Sequence, residues 1–196
     1  MDWNEWLRKN AGNQADSPED FDLHLATVEW TLATPLDING VEDLRSLPGI
    51  NVEPFAHQVD NAIQFFRCLH PRGLLADDVG LGKTISAGLI ARELFDRGKV
   101  ESLLVVCPKP LMEQWRGELD SKFHLKATVA SGSEFDGLEG RRFWITTYHT
   151  ASLHMARIEK RGFDMLIVDE AHTFRNLCGT AQPPKMAQRF QSLMRK

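Results

Sequence analysis

A chain of 196 residues, 42% apolar and 26% charged, is long enough for one full core and a small appendage, and its composition excludes a fibrous or globally disordered protein. The formal net charge of −4 excludes a surface that is basic all over, so any nucleic-acid contact must be local. The longest apolar runs, Ser102 to Cys107 and Met165 to Val168, fall far short of the about 20 residues of a membrane span, and Met1-Asp2-Trp3-Asn4-Glu5 lacks the basic and apolar regions of a signal peptide. No membrane span is expected, and the cytoplasm is the default compartment. Cys68, Cys107 and Cys178 form no C-x-x-C pair, which suggests reduced thiols rather than a disulfide framework or a zinc module.

Along the chain, residues 1–50 read as an appendage: a helix candidate around Trp3 and Trp6, the polar breaker Gln14 to Asp20, and a short helix over Val41 to Leu47 ended by Pro48-Gly49. From residue 51 to 196 the pattern is that of one lobe. Phe55, Val59, Ile63, Phe66 and Leu69 recur at helical spacing before Pro71-Arg72-Gly73 breaks the run. Gly73 to Ala76 reads as a buried strand, followed by a glycine loop and a helix from Thr84 to Phe95. Leu103 to Cys107, stopped by Pro108, has the continuous apolar character of a parallel strand. A helix is predicted over Leu111 to Leu119, weaker strands at Lys126 to Ala130 and Phe143 to Thr146, a helix near Tyr148 to Ile158, a strand at Met165 to Val168, and a last helix over Lys185 to Arg195. Strands alternating with helices predict an α/β fold, a parallel sheet covered on both faces.

The chemistry concentrates in two places. In Leu74-Leu75-Ala76-Asp77-Asp78-Val79-Gly80-Leu81-Gly82-Lys83-Thr84 a strand leads into a glycine loop whose backbone N–H groups can wrap phosphates, and the next helix aims its positive end at them. Lys83 would reach the β- and γ-phosphates of a nucleotide and the Thr84 hydroxyl would ligate magnesium. Asp77 stands where the general pattern has its first glycine. A lone Gly-Lys-Thr is common in turns; its placement between strand and helix is what gives it weight. The second place is Asp169-Glu170-Ala171-His172, directly after the apolar run Met165 to Val168. There Asp169 is assigned to magnesium, Glu170 to the attacking water and His172 to an orienting or coupling role. An Asp-Glu pair alone is usually a solvated cap. Two such motifs in this order, each at the end of its own strand, bring a phosphate loop and carboxylates to one sheet edge.

The D-x-x-G-L-G-K-T loop and the D-E-A-H box together resemble the Swi/Snf-type branch of the superfamily-two helicases, with the bacterial RapA-like branch the most similar, over about Phe55 to Asn176. The resemblance implies a RecA-like lobe that binds ATP and magnesium and, in a full-length context, hydrolyses ATP to move on duplex DNA. It implies that Asp77, Asp78, Val79, Gly80, Leu81 and Gly82 line the nucleotide with Lys83, Thr84 and His172. Asp78 stands where the family usually has Glu. Phe55-Ala56-His57-Gln58 sits where the family places a glutamine that reads the adenine edge, Gln58 here, although a plain helix glutamine is the alternative. Val106-Cys107-Pro108-Lys109 with Gln114-Trp115-Arg116-Gly117-Glu118 is similar to the family's proline loop and W-x-x-E helix, with Trp115 read as core. Thr146-Thr147-Tyr148 resembles a strand-end motif that touches the tracked strand through phosphates, and Phe174-Arg175-Asn176 matches the family's ending of the acidic-box segment. Pro108, Lys109, Thr146, Thr147 and Tyr148 are thus the implied nucleic-acid contacts.

Lys109, Arg116, Arg141, Arg142, Arg157, Lys160 and Arg161 form a candidate DNA-facing stripe, provided they cluster in space. The other histidines show no zinc spacing. The resemblance also implies a second RecA-like lobe, supplied by a longer chain or a partner, and a further strand between the loop strand and the acidic-box strand. A lobe truncated before that strand would carry an open slot in its sheet, and such a chain is expected to be marginally stable or to borrow a strand. Two alternatives stay open: a nucleotide-binding or interaction module that never hydrolyses ATP, and a motor lobe whose track is RNA or that serves a restriction system.

Overall fold

The computed structural model describes residues 43–68, 73–77, 80–130 and 142–171. Within them, helix α1 spans Ala56–Cys68, α2 Lys83–Asp96, α3 Met112–Phe123, α4 Tyr148–Leu153 and α5 Met155–Arg161, while strands β1 to β4 span Leu103–Cys107, Ala127–Val129, Phe143–Thr147 and Met165–Val168. The expected helices at Trp3 and Trp6 and over Lys185 to Arg195 lie outside the described residues.

The four strands form one parallel sheet in the order β2-β3-β1-β4. Parallel strands need crossovers, and helices supply those from β1 to β2 and from β3 to β4, on opposite faces of the sheet. Strand β1 shows why its sequence is apolar throughout: Leu103, Val105 and Cys107 enter one core with α2 and α3, whereas Leu104 and Val106 enter a second core with Tyr148, Ala151, Met155 and Ile158 of α4 and α5. Side chains alternate across a strand, so a central strand covered on both faces must be apolar at every position.

Several boundaries differ from the sequence reading for physical reasons. Helix α3 runs on to Phe123 because His124, in the left-handed conformation at φ 54°, caps it by donating its N–H to the Leu119 carbonyl. The single helix expected over Tyr148 to Ile158 is two helices parted at His154, which is non-helical at φ −106° and ψ 20°. Val41 to Leu47 does not give the expected helix: the described part is a turn followed by a 3-10 helix over Leu47–Gly49 that takes in the proline and glycine. Phe55 lies off the buried stripe and is 70% exposed, because α1 starts only at Ala56.

The largest correction concerns Gly73 to Ala76. It forms no strand, and Leu74 is 73% exposed. A strand is defined by its ladder, and among the described residues neither this segment nor the outer edge of β4 has one. Consistently, every residue of β4 is half-buried, whereas every residue of β1 is buried. Among the described residues no helix is long and apolar enough to cross a membrane.

Candidate functional site

The phosphate-loop segment takes its shape from two glycines. Gly80 and Gly82 have φ of 91° and 78°, which residues with a Cβ seldom adopt. Gly82 is the N-cap of α2, and its carbonyl accepts the N–H of Ile85 at 2.8 Å. Lys83 and Thr84 therefore open the helix, in its first turn, where the backbone N–H groups are unspent and the positive end of the helix dipole lies. The Lys83 ammonium donates to the Asp77 carbonyl at 2.8 Å, bending the side chain back over the loop. Asp78 and Val79 lie outside the described residues.

Helix α1 holds this loop from beside it. Gln58, only 4% exposed, donates from Nε2 to the Leu81 carbonyl at 3.0 Å and accepts the Phe55 N–H at 3.0 Å. His57 Nε2 lies 3.0 Å from the same Leu81 oxygen. One turn on, Asn61 donates to the Asp77 carboxylate at 2.7 Å. The residue in place of the usual first glycine is thus tied down by a side chain that sequence reasoning missed; its only signal was the spacing of Gln58 and Asn61 on one helical face.

The acidic pair follows β4. Asp169 continues the ladder, its N–H donating to the Val106 carbonyl at 2.9 Å. Its carboxylate accepts the Trp115 indole N–H on Oδ2 at 2.8 Å and the Glu170 N–H on Oδ1 at 2.9 Å. Its carbonyl accepts the Tyr148 hydroxyl. Each carboxylate oxygen thus has one donor and a lone pair to spare, a hard oxygen of the kind that magnesium takes. Glu170 is exposed, with φ 55°, a backbone state that costs about 1–2 kcal/mol and is typical of functional turns. Burial and then the charge of Asp169 push the neighbouring Cys107 thiol up to about 12. His172 and Phe174-Arg175-Asn176 lie outside the described residues.

Topology relates the two places. Helix α2, about 21 Å long, runs back from the loop to the start of β1, and a strand then rises about 17 Å in the parallel direction. The loop and Asp169-Glu170 therefore share the carboxyl edge of the sheet, where ligands of open α/β sheets bind.

The expected nucleic-acid contacts divide. Pro108, Lys109 and Thr147 follow β1 or end β3 at this edge; Lys109 is exposed and Thr147 half-buried. Thr147 caps α4 by accepting the Thr150 N–H at 3.1 Å. The hydroxyls of Thr146 and Tyr148 turn inward instead: Thr146 is fully buried and donates to the Ala130 carbonyl at 2.9 Å, and Tyr148, 8% exposed, donates to the Asp169 carbonyl. Nor do the cations form one stripe. Arg142 and Arg161 line a cavity with Glu101, Ser102, Gly162 and Asp164, before the strands at the opposite end of the sheet from Lys109; Arg116 is paired with Glu113. Arg141 is not among the described residues.

A glycine loop opening a helix beside a parallel sheet, with an acidic strand end at the same edge, defines the RecA-like α/β class. The SNF2-related domain family matches residues 3–195, and the chain belongs to that family. It is 35% identical over 144 residues to the RNA polymerase-associated protein RapA of Pasteurella multocida, covering 66% of this chain and 15% of that protein. It is 33% identical over 153 residues to the uncharacterized ATP-dependent helicase YqhH of Bacillus subtilis, covering 77% of this chain and 27% of that protein. The chain thus spans only a minor part of the length of the relatives it matches. Its fold matches the Sulfolobus solfataricus SWI2/SNF2 ATPase core in complex with dsDNA, with a TM-score of 0.64 at 22% identity over 80% of this chain and 32% of that one. Within that family it is similar to RapA proteins over 66% of its own length.

Proposed function

We propose that the chain is the ATP-binding lobe of a DNA-dependent ATPase that, together with a second RecA-like lobe, hydrolyses ATP to move on duplex DNA. The observation that supports this reading is the Gly82-capped start of α2, which sets Lys83 and Thr84 in the first turn of the helix, while Asp169 extends the β4 ladder at the sheet's carboxyl edge. Residues 51–196 belong to this lobe, with residues 1–50 an appendage whose end packs on it: Leu44 is in the core and Glu93 of α2 accepts the backbone N–H groups of Arg45 and Ser46.

In this reading the backbone of residues 77–82 and the Lys83 ammonium hold the β- and γ-phosphates, and the adenine edge meets Gln58. Thr84 and Asp169 hold magnesium, which when bound neutralises charge on the transferred phosphoryl group. Glu170 orients the attacking water, and His172 links the acidic turn to the segment after it. Pro108, Lys109 and Thr147 meet the backbone of the tracked strand; such contacts position without reading sequence. The duplex track is supported by the bound dsDNA of the Sulfolobus solfataricus structure.

Phosphate release measured from this lobe supplemented with a second RecA-like lobe tests the proposal. Stimulation by duplex DNA well above that by duplex RNA is expected. Equal stimulation by both would move the track to the helicase-like alternative, and hydrolysis indifferent to either would contradict the motor.

A further inference from the structure

Every polar atom of Asp169 is held by another part of the sheet's carboxyl edge. Its N–H goes to Val106 of β1 and its Oδ1 to the Glu170 N–H. The other two partners are side chains on the helices that follow β1 and β3. Trp115, 3% exposed, stands on α3, which begins a few residues after the Pro108-Lys109 turn; its indole N–H, a donor with no acceptor function, meets Oδ2 at 2.8 Å. Tyr148, 8% exposed, is the first residue of α4, immediately after Thr147; its hydroxyl meets the Asp169 carbonyl. A hydrogen bond to a carboxylate is charge-assisted, shorter and roughly twice as strong as one between neutral groups.

We propose that Trp115 and Tyr148 are positioning residues that couple the Pro108-Lys109 and Thr147 loops to Asp169, so that a duplex seated on those loops changes how the Asp169-Glu170 turn meets a magnesium-bound nucleotide. This inference rests on the reading of the site given above. Two packed elements, α3 and the β3–α4 junction, converge on one residue from opposite faces of the sheet. A displacement of either moves the carboxylate or the backbone that orients it. Coupling of this kind is reciprocal: whatever factor DNA applies to nucleotide affinity, nucleotide must apply to DNA affinity.

The test uses the whole chain and measures the dissociation constant of a labelled duplex of about 20 base pairs, roughly two helical turns, by fluorescence anisotropy, with and without magnesium and a non-hydrolysable ATP analogue. In the wild-type chain the two constants should differ by about fivefold or more, the lower bound of typical coupling. In Trp115→Phe, which keeps the ring and removes the donor, and in Tyr148→Phe, the ratio should fall to about one. Thermal melts accompany each variant. Should a variant fail to fold, the indole N–H resonance of wild-type Trp115, assigned by through-bond correlation, decides: it must shift both on adding the magnesium-bound analogue and on adding duplex. A wild-type ratio near one, an unchanged ratio in both folded variants, or a resonance silent to either addition overturns the proposal. Absence of any nucleotide binding to the wild-type chain would instead overturn the reading of the site, and the coupling with it.

Discussion

The side-chain amide of Gln58 donates to the Leu81 carbonyl at 3.0 Å, and a Cβ placed on the neighbouring Gly82 would lie 2.3 Å from that same amide nitrogen. Gln58 and the loop therefore occupy one fitted arrangement, which only glycine at position 82 allows.

Gly82→Ala is thus expected to fail twice. An alanine at φ 78° is strained by about 1–2 kcal/mol, and its methyl group displaces Gln58. We expect ATP affinity to drop by at least about tenfold, equivalent to about 1.4 kcal/mol. Gln58→Glu sets a carboxylate oxygen against the Leu81 carbonyl and should weaken ATP in the same direction. Calorimetric titration of both variants checks this, and wild-type affinity in Gly82→Ala would refute the fitted arrangement.

Gly88 of α2 is a packing glycine. A Cβ there would lie 2.2 Å from the ring of Phe123, itself fully buried at the end of α3. Overpacking of this kind costs about 1–3 kcal/mol. Gly88→Ala should lower the unfolding free energy by that amount, and Phe123→Leu in the same chain should recover part of it. A double-mutant cycle with no coupling would contradict the contact.

Glu93 is a buried carboxylate on α2. Burial alone would raise its pKa, but the bonds from Ser46, Arg45 and Arg97 outweigh it and hold the group below its ordinary 4.5. A pKa depressed by folding contributes stability that is present above the unfolded value and lost as pH falls through the folded one. Stability should therefore fall off below about pH 4.5. Glu93→Gln should be less stable by about 2 kcal/mol at neutral pH, from weakened bonds to a charged acceptor, and the gap should close under acid. Denaturant melts of both proteins across that range test the sign.

Cys107 should be chemically silent. With its thiol pushed up to about 12 and its side chain buried, almost no thiolate exists at pH 8. Site-resolved mass spectrometry after alkylation of the folded chain should find Cys107 unmodified until denaturant is added.

The motifs were legible because their chemistry is local: a glycine loop before a helix, and two acids after an apolar run, need few residues to declare themselves. Helices α1 and α2 were legible from their spacing, and β1 from its unbroken apolar run. Gly73 to Ala76 was not, since its sequence says only that it is apolar, and a strand also needs a neighbour to pair with. Thr146 could have been placed by parity: Trp144 faces the α4 and α5 core, so Thr146, two residues on, points the same way and into the protein. The bonds from Trp115 and Tyr148 to Asp169 join residues far apart in the chain and leave no periodic trace. Nothing in the sequence sets Glu93 apart from any helix acid with an i,i+4 arginine; only the burial of Leu44 and the bonds from Arg45 and Ser46 show that it anchors the chain before α1.

The most direct test of the central claim is calorimetric titration of the chain with ATP in the presence of magnesium, in wild type and in Lys83→Ala. The expected result is saturable binding by the wild type that is lost in the variant while both retain the same thermal melt. A folded wild-type chain that takes up no ATP, or a Lys83→Ala chain that binds it equally well, would contradict the assignment of the loop as the phosphate site.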